Sequence, residues 1–242
     1  MYRALAEGVQ KFQRGYYRRK RENYFKLIRD GQNPHTLFIT CADSRIVPEA
    51  LTQSSPGDIF VLRNVGNMVP ALGSNHEVSS IGSAIEYAVE VLNVSNIIVC
   101  GHSHCGACAA LYNPLLEQKL PITSRWIEQG RSVKSIVLSH APVRNPAATT
   151  ATTATVLASH THREEIFRAT ERAMIVQHLE NLSTYPSVIN AVAQGRLELH
   201  GWYYIIEHGE VERYDRQKLA FVSVQNDFVR RRTLERIERE TA

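Results

Sequence analysis

The stretch TLFITCADSR, Thr36 to Arg45, decides how the chain is read. Its apolar run Leu37 Phe38 Ile39 has the length and composition of a buried strand. Directly after it, Cys41, Asp43 and Arg45 follow at spacings of two, so a thiol, a carboxylate and a guanidinium crowd one strand end. A second stretch, NIIVCGHSHCGAC from Asn96 to Cys108, repeats the pattern: Ile97 Ile98 Val99, then a glycine, His102 and Cys105, with Gly106 opening a helix. In an open parallel sheet, ligands gather at the carboxyl ends of neighbouring strands, where the strand order reverses. Cys41, His102 and Cys105 are therefore expected to converge.

The residues between and around these stretches suit an α/β domain with helical arms. Glu77 to Leu92 places Ile81, Ile85, Ala88 and Leu92 on one helical face between the strand at Asp58–Leu62 and the strand at Asn96. Strand, helix, strand is a crossover unit and makes the sheet parallel. Pro48 to Gly57 reads as a short helix and turn, and Arg63 to Asn67 as a tight loop. Helices are expected from Trp126 towards Val143 and around Ile175, Leu179 and Leu182, the latter stopped near Tyr185 Pro186. Leu197 to Ile206 is expected as the last strand, at an edge, with a turn at Gly209. The expected fold is α/β, a mostly parallel central sheet flanked by helices.

Outside this frame lie three segments. Residues 1–30 carry Leu5, Val9, Phe12, Tyr16, Tyr24, Leu27 and Ile28 among charges and read as an N-terminal helical arm ended by Gly31, suited to dimerisation or to packing on its own core. Asn145 to Thr155, NPAATTATTAT, has no apolar period and marks a surface insertion over 145–162 within a catalytic domain of 31–215. Residues 216–242 form an extension whose Phe228 to Glu240 reads as a mixed-charge helix.

The net charge of +4 comes from 28 basic against 24 acidic residues, with the excess in Arg18 Arg19 Lys20 Arg21 and Arg230 Arg231 Arg232. Such runs are solvated helix faces and do not call for a nucleic-acid partner. Four cysteines, 41, 100, 105 and 108, are too few and too clustered for a secreted disulfide framework. MYRALAEGVQ lacks the apolar core of a signal peptide, and no apolar stretch approaches the ~18 residues of a membrane span. A cytoplasmic protein is expected.

Two thiolates and one imidazole make a soft tetrahedral set for which zinc is the usual metal, three protein ligands leaving one position open. Against this stand buried cysteines acting as small hydrophobes, the reading given to Cys100, and a redox pair of Cys105 and Cys108. Neither explains Asp43, Arg45 and His102 together.

C-A-D-S-R at 41–45 and G-H-S-H-C-G at 101–106 resemble the two signatures of the β-class carbonic anhydrases. The resemblance implies one zinc ion per chain on Cys41, His102 and Cys105, a catalytic dyad of Asp43 and Arg45, and reversible hydration of carbon dioxide to bicarbonate and a proton. Zinc acidifies water enough to supply hydroxide near neutral pH; Asp43 accepts its hydrogen bond while Arg45 holds the carboxylate. An Asp43 freed from Arg45 becomes a fourth ligand and closes the site.

Resemblance to the plant-type subclass further places Gln32, Phe60, Val65, Tyr87 and Gly106 in the substrate pocket, at the interface of a homodimer or a multiple of dimers. EGVQKFQRGYY is similar to the carboxysomal enzymes of cyanobacteria, implying carboxysome partners. Some relatives carry a regulatory bicarbonate pocket of tryptophan, arginine and tyrosine. Arg63 and Tyr204 match, but Phe38 stands at the tryptophan position, so an open site is expected. His35 and His104 are candidates for carrying away the proton, and oxidative pairing of Cys108 with Cys105 is expected to eject zinc. The rival readings are a carbon disulfide or carbonyl sulfide hydrolase on the same scaffold and a non-catalytic interaction protein.

Overall fold

Thr36–Cys41 (β1) is buried along its whole length, since helices and loops cover both faces of the sheet around it. Leu37 and Ile39 join Ile97, Val99, Ile85 and Ile175 on one face, and Phe38 meets Ile98, Cys100 and Trp202 on the other. A near-continuous apolar run is the pattern a doubly covered parallel strand requires. The computed structural model describes residues 1–73, 79–140 and 160–225.

The sheet has six strands in the order β2-β1-β3-β4-β5-β6: Ile59–Asn64 (β2), Asn96–His102 (β3), Glu198–Ile205 (β4), Glu210–Asp215 (β5) and Ala220–Ser223 (β6). The first four run parallel, with Thr36 facing Ile59 on one side and Asn96 on the other. β5 and β6 are antiparallel. This is the expected α/β fold, with one correction. β4 is neither last nor at an edge, because the chain reverses at Gly209 (φ 68°) and again at Leu219 (φ 51°) and adds two short strands. EVERYD carries too little apolar alternation to stand out as a strand.

The helix before β3 is Ser80–Glu86 (α4), continued by a wider turn over Tyr87–Val91; the Ser79 hydroxyl caps it by accepting from Gly82 N–H at 3.1 Å. Glu77, the expected start, lies outside the described residues. Short helices follow β1 and β3, Pro48–Thr52 (α3) and Gly106–Ala110 (α5), and Leu116–Lys119 (α6), Pro121–Ile127 (α7) and Arg131–His140 (α8) come after them. His160–Leu182 (α9) is the long one, and Pro186–Ala193 (α10) starts with proline at its first position. Residues 160–162, expected in the insertion, belong to α9 because His162 is buried and begins its inner face. The rest of the insertion and the expected tail helix lie outside the described residues.

α9 lies close against the sheet. A β-carbon on Gly101 or on Gly201 would come within 2.8 Å of the Ile175 side chain, so glycine at both positions is what lets the helix settle there. The N-terminal arm is different. Tyr2–Phe12 (α1) and Arg18–Asp30 (α2) run into one another through a wider turn and end at Gly31 (φ 82°), with no buried residue in either helix. α2 touches the β1–β2 connection through Lys20 to Ser55 and Asn23 to Pro56, while Leu5, Val9 and Phe12 of α1 stay exposed.

His178, on the inner face of α9, is fully buried and accepts from Val69 N–H at 3.4 Å. Burial pushes its imidazole down to about 4. The unfolded chain then takes up a proton below about pH 6.5 that the folded chain refuses, so stability falls as pH drops through that range. Between pH 7 and pH 5 this group should cost roughly 2 kcal/mol. Urea unfolding of His178→Gln, which keeps an acceptor for Val69, should show a correspondingly shallower acid slope than the parent chain.

Candidate metal centre

Strand order turns around at β1: the chain leaves it towards β2 on one side, and β3 lies on the other. The loops after β1 and β3 therefore open into the same crevice, the place where such sheets hold ligands. Cys41 closes β1, His102 closes β3, and Cys105 immediately precedes α5. Their ligand atoms lie within 4.8 Å of one another, and all three side chains are buried.

The donor set fits a metal ion on several counts. His102 Nδ1 donates to the Ser103 carbonyl at 2.8 Å, which leaves Nε2 as the basic nitrogen. That Nε2 is buried without a hydrogen-bond partner, a costly condition unless a cation is its partner. Gly66 N–H points at Cys41 Sγ at 3.4 Å, as it would at a thiolate. Gly66 has φ 79°, and a β-carbon there would meet that of Ala107 at 2.8 Å, so only glycine brings this amide to the sulfur. The hydrogen bond with Cys105, together with burial, pushes the Cys41 thiol up to about 12; contact with Cys108 does the same to Cys105. A divalent cation reverses that direction and holds both as thiolates. Cys100, by contrast, is core, with no exposure.

Beside the triad, Arg45 grips Asp43 with two prongs, Nε to Oδ1 at 2.9 Å and Nη2 to Oδ2 at 2.7 Å, and its backbone N–H adds a third bond. Arg45 thereby holds the Asp43 carboxyl well below the usual carboxylate range, against the opposing effect of burial. Arg45 Nη2 also donates to the His104 carbonyl at 2.9 Å. Arg63 fastens the turn from beneath, donating to the carbonyls of Cys41 (3.1 Å) and Asp43 (2.7 Å).

Of the remaining candidates, Val65 and Gly106 sit at this end of the sheet, and Trp126 Nε1 donates to the Val65 carbonyl at 2.8 Å. Gln32, Phe60 and Tyr87 do not join them within one chain. Gln32 precedes β1. Phe60 faces Leu37, four residues or about 13 Å before the Cys41 level, and its ring lies 6.1 Å from that of Tyr87. The two histidines proposed to carry protons are placed differently. His35 is bonded to Thr36 at the amino end of β1. His104 has Nδ1 taken by Arg168 at 2.7 Å and Nε2 by Glu207.

Sequence reading missed the support beneath the site. Glu171 of α9 is buried, yet its carboxylate accepts from Cys105 N–H (2.9 Å), Tyr203 Oη (2.7 Å) and Arg168 Nη1 (2.9 and 2.6 Å). Burial raises its pKa in spite of these donors. The signal was there in the chain: an Arg and a Glu at i, i+3 among the inner-face residues Ile166, Thr170 and Met174.

A sequence profile described as carbonic anhydrase matches residues 36–211. The chain is 39% identical over 223 residues to the carbonic anhydrase of Synechocystis sp., covering 92% of this chain and 74% of that protein. It is 38% identical over 224 residues to the carbonic anhydrase of Pseudomonas aeruginosa, covering 92% and 91%. The solved structure of the β-carbonic anhydrase CcaA superposes with a TM-score of 0.79 at 37% identity, over 92% of this chain and 91% of that one. A Coccomyxa β-carbonic anhydrase in complex with acetazolamide gives 0.67 at 28%, over 86% and 83%.

Metal analysis of the purified protein should find about one zinc per chain. Gly66→Ala, which moves the amide off Cys41, should weaken zinc retention against a chelator by roughly 10-fold or more.

Proposed function

Because the chain belongs to the β-class carbonic anhydrases, enzymes that interconvert carbon dioxide and water with bicarbonate and a proton, we propose that it works through zinc on Cys41, His102 and Cys105 with Asp43 and Arg45 as the dyad that orients the attacking water. The observation that carries this reading is the buried thiol–imidazole–thiol triad with ligand atoms within 4.8 Å, set beside an aspartate locked by an arginine. Zinc bound there supplies the Lewis acidity that lowers the pKa of water towards neutrality. Two thiolates offset the charge of that ion, so the chain's own residues must contribute more than in a site of neutral imidazoles.

Asp43 is the residue placed to do so. Held ionised by Arg45, it only accepts hydrogen bonds. It takes the bond of the attacking water at a carboxylate oxygen and leaves the water's lone pair free for the carbon of carbon dioxide. Arg45 fixes the plane of the carboxylate through its two-pronged grip. Val65 offers an apolar wall suited to a linear, nonpolar substrate, and Gly106 leaves room above the helix start.

The pocket is completed by a second copy of the chain. Gln32 precedes β1, and Phe60 packs against Tyr87 towards the amino end of the sheet, away from their own triad; Tyr87 is exposed. α1 leaves its apolar residues uncovered. A homodimer that covers these surfaces brings the Gln32 amide of one chain to the bicarbonate product of the other. A cytoplasmic or carboxysomal setting with carboxysome partners belongs to the same proposal, supported by the EGVQKFQRGYY segment.

Stopped-flow hydration of carbon dioxide at about pH 8 tests the chemistry: it should be fast, need zinc, and fall by about 10²-fold or more in Asp43→Ala, the range of a lost orienting group. No loss in that variant would overturn the pair. Co-expression of Gln32→Ala with Asp43→Ala tests the shared pocket. A mixed dimer has one intact site, so random pairing should recover about a quarter of full activity from two weak parents; a pocket built within one chain would recover nothing.

A further inference from the structure

His104 is out of place by ordinary rules. It holds φ 57°, a left-handed backbone conformation that a β-carbon disfavours, in the middle of the loop carrying two metal ligands. Its ring is gripped at both nitrogens. Arg168 Nη2 donates to Nδ1 at 2.7 Å, so Nε2 carries the proton and gives it to Glu207 Oε1.

Both jaws of this grip are anchored. Arg168 binds the buried Glu171 through Nη1 and Glu164 through Nη2 (2.8 Å). Glu207 accepts from the Ser103 hydroxyl, whose oxygen in turn accepts from Ile206 N–H at 2.9 Å. The consequence appears on the backbone. In this conformation the His104 carbonyl faces Arg45 and accepts from Nη2 at 2.9 Å. The Arg45 side chain has Asp43 and this carbonyl as its hydrogen-bond partners among the described residues.

We propose that Arg168, His104 and Glu207 form a bracket that positions Arg45 through the His104 carbonyl, and that it thereby decides whether Asp43 stays on Arg45 or moves onto the metal. The proposal rests on the reading of Asp43 and Arg45 as the working pair. All three bracket residues are positioning residues; none touches the reacting atoms. With the bracket broken, the loop relaxes out of the left-handed conformation and the carbonyl turns away. Arg45, with half its anchorage gone, then competes for Asp43 less well than a cation that is one donor short of tetrahedral.

The test is His104→Ala, which frees Arg168 and Glu207 without removing the Glu207 hold on Ser103, with Glu207→Ala and Glu207→Gln beside it. Each is loaded with cobalt(II) as a spectroscopic stand-in for zinc, and metal content, visible spectrum and hydration rate are measured. His104→Ala and Glu207→Ala should bind one metal per chain, lose about 10-fold in hydration, and show a spectrum changed by carboxylate ligation. Glu207→Gln, whose amide oxygen still accepts from the imidazole, should stay within about 3-fold and keep the parent spectrum. In the double variant Asp43→Ala, His104→Ala the spectral change should vanish, since its donor is gone.

A parent-like spectrum in His104→Ala would overturn the proposal, and so would equal losses in the two Glu207 variants. Should Glu207→Ala fail to fold, His104→Ala and the double variant decide alone. Full hydration by Asp43→Ala would instead remove the pair's catalytic role, while the cobalt spectra would still decide whether the bracket keeps Asp43 off the metal.

Discussion

The site depends on the side-by-side parallel pairing of β1 and β3. Thr36 pairs with Asn96 and Thr40 with Cys100, so the two strands end level and their following loops share one crevice. The buried Thr40 hydroxyl donates to the Cys100 carbonyl at 2.9 Å and adds a side-chain bond to that pairing. A slip of one residue would turn each inward side chain to the other face and part Cys41 from His102. Because both faces are buried by large aliphatic and aromatic residues, register is strongly specified. Core packing and metal chemistry are in this sense one requirement.

α9 joins the two. Its Ile175 reaches the sheet between Gly101 and Gly201, its His178 meets Val69, and its Glu171 sits under Cys105. A buried carboxylate is expensive unless it is paired and fully hydrogen-bonded. Glu171 meets that condition with donors from α9, β4 and the loop holding Cys105. Its cost is offset by order: one side chain fixes the helix, the strand and a metal-ligand loop relative to each other. The same helix supplies Arg168, which carries that order outward to His104.

At the surface of the site, one carboxylate is the object of two attractions. Asp43 is drawn to Arg45 by a bidentate ion pair and, under the proposed function, towards the cation that the triad would hold. Arg45 and Asp43 are only partly buried, with side-chain exposures of 46% and 18%, so solvent screens their attraction. Geometry then decides what charge alone does not, through the carbonyls and amides that hold both groups in place.

The sequence by itself determined the parallel α/β frame, since Leu37–Ile39 and Ile97–Val99 can be buried on both faces only as central strands, and strand-end chemistry follows at once in each. It also determined the candidate ligand cluster, because Cys41, His102 and Cys105 lie at those strand ends and short-range order carries them there. The two antiparallel strands were illegible, as EVERYD and AFVS are short and one is charged. The support of the site was legible only in part. Arg168 and Glu171 show as an i, i+3 pair among the inner-face residues of α9, but nothing local says that they, or Glu207 just past β4, meet the loop of His104 and Cys105, far earlier in the chain. The placement of Gln32, Phe60 and Tyr87 also needed the tertiary structure: they lie near the motifs in the chain, but Gln32 precedes β1, Phe60 stands level with Leu37 four residues before Cys41, and Tyr87 packs beside Phe60, because a parallel strand carries its first residues to the end of the sheet opposite its last.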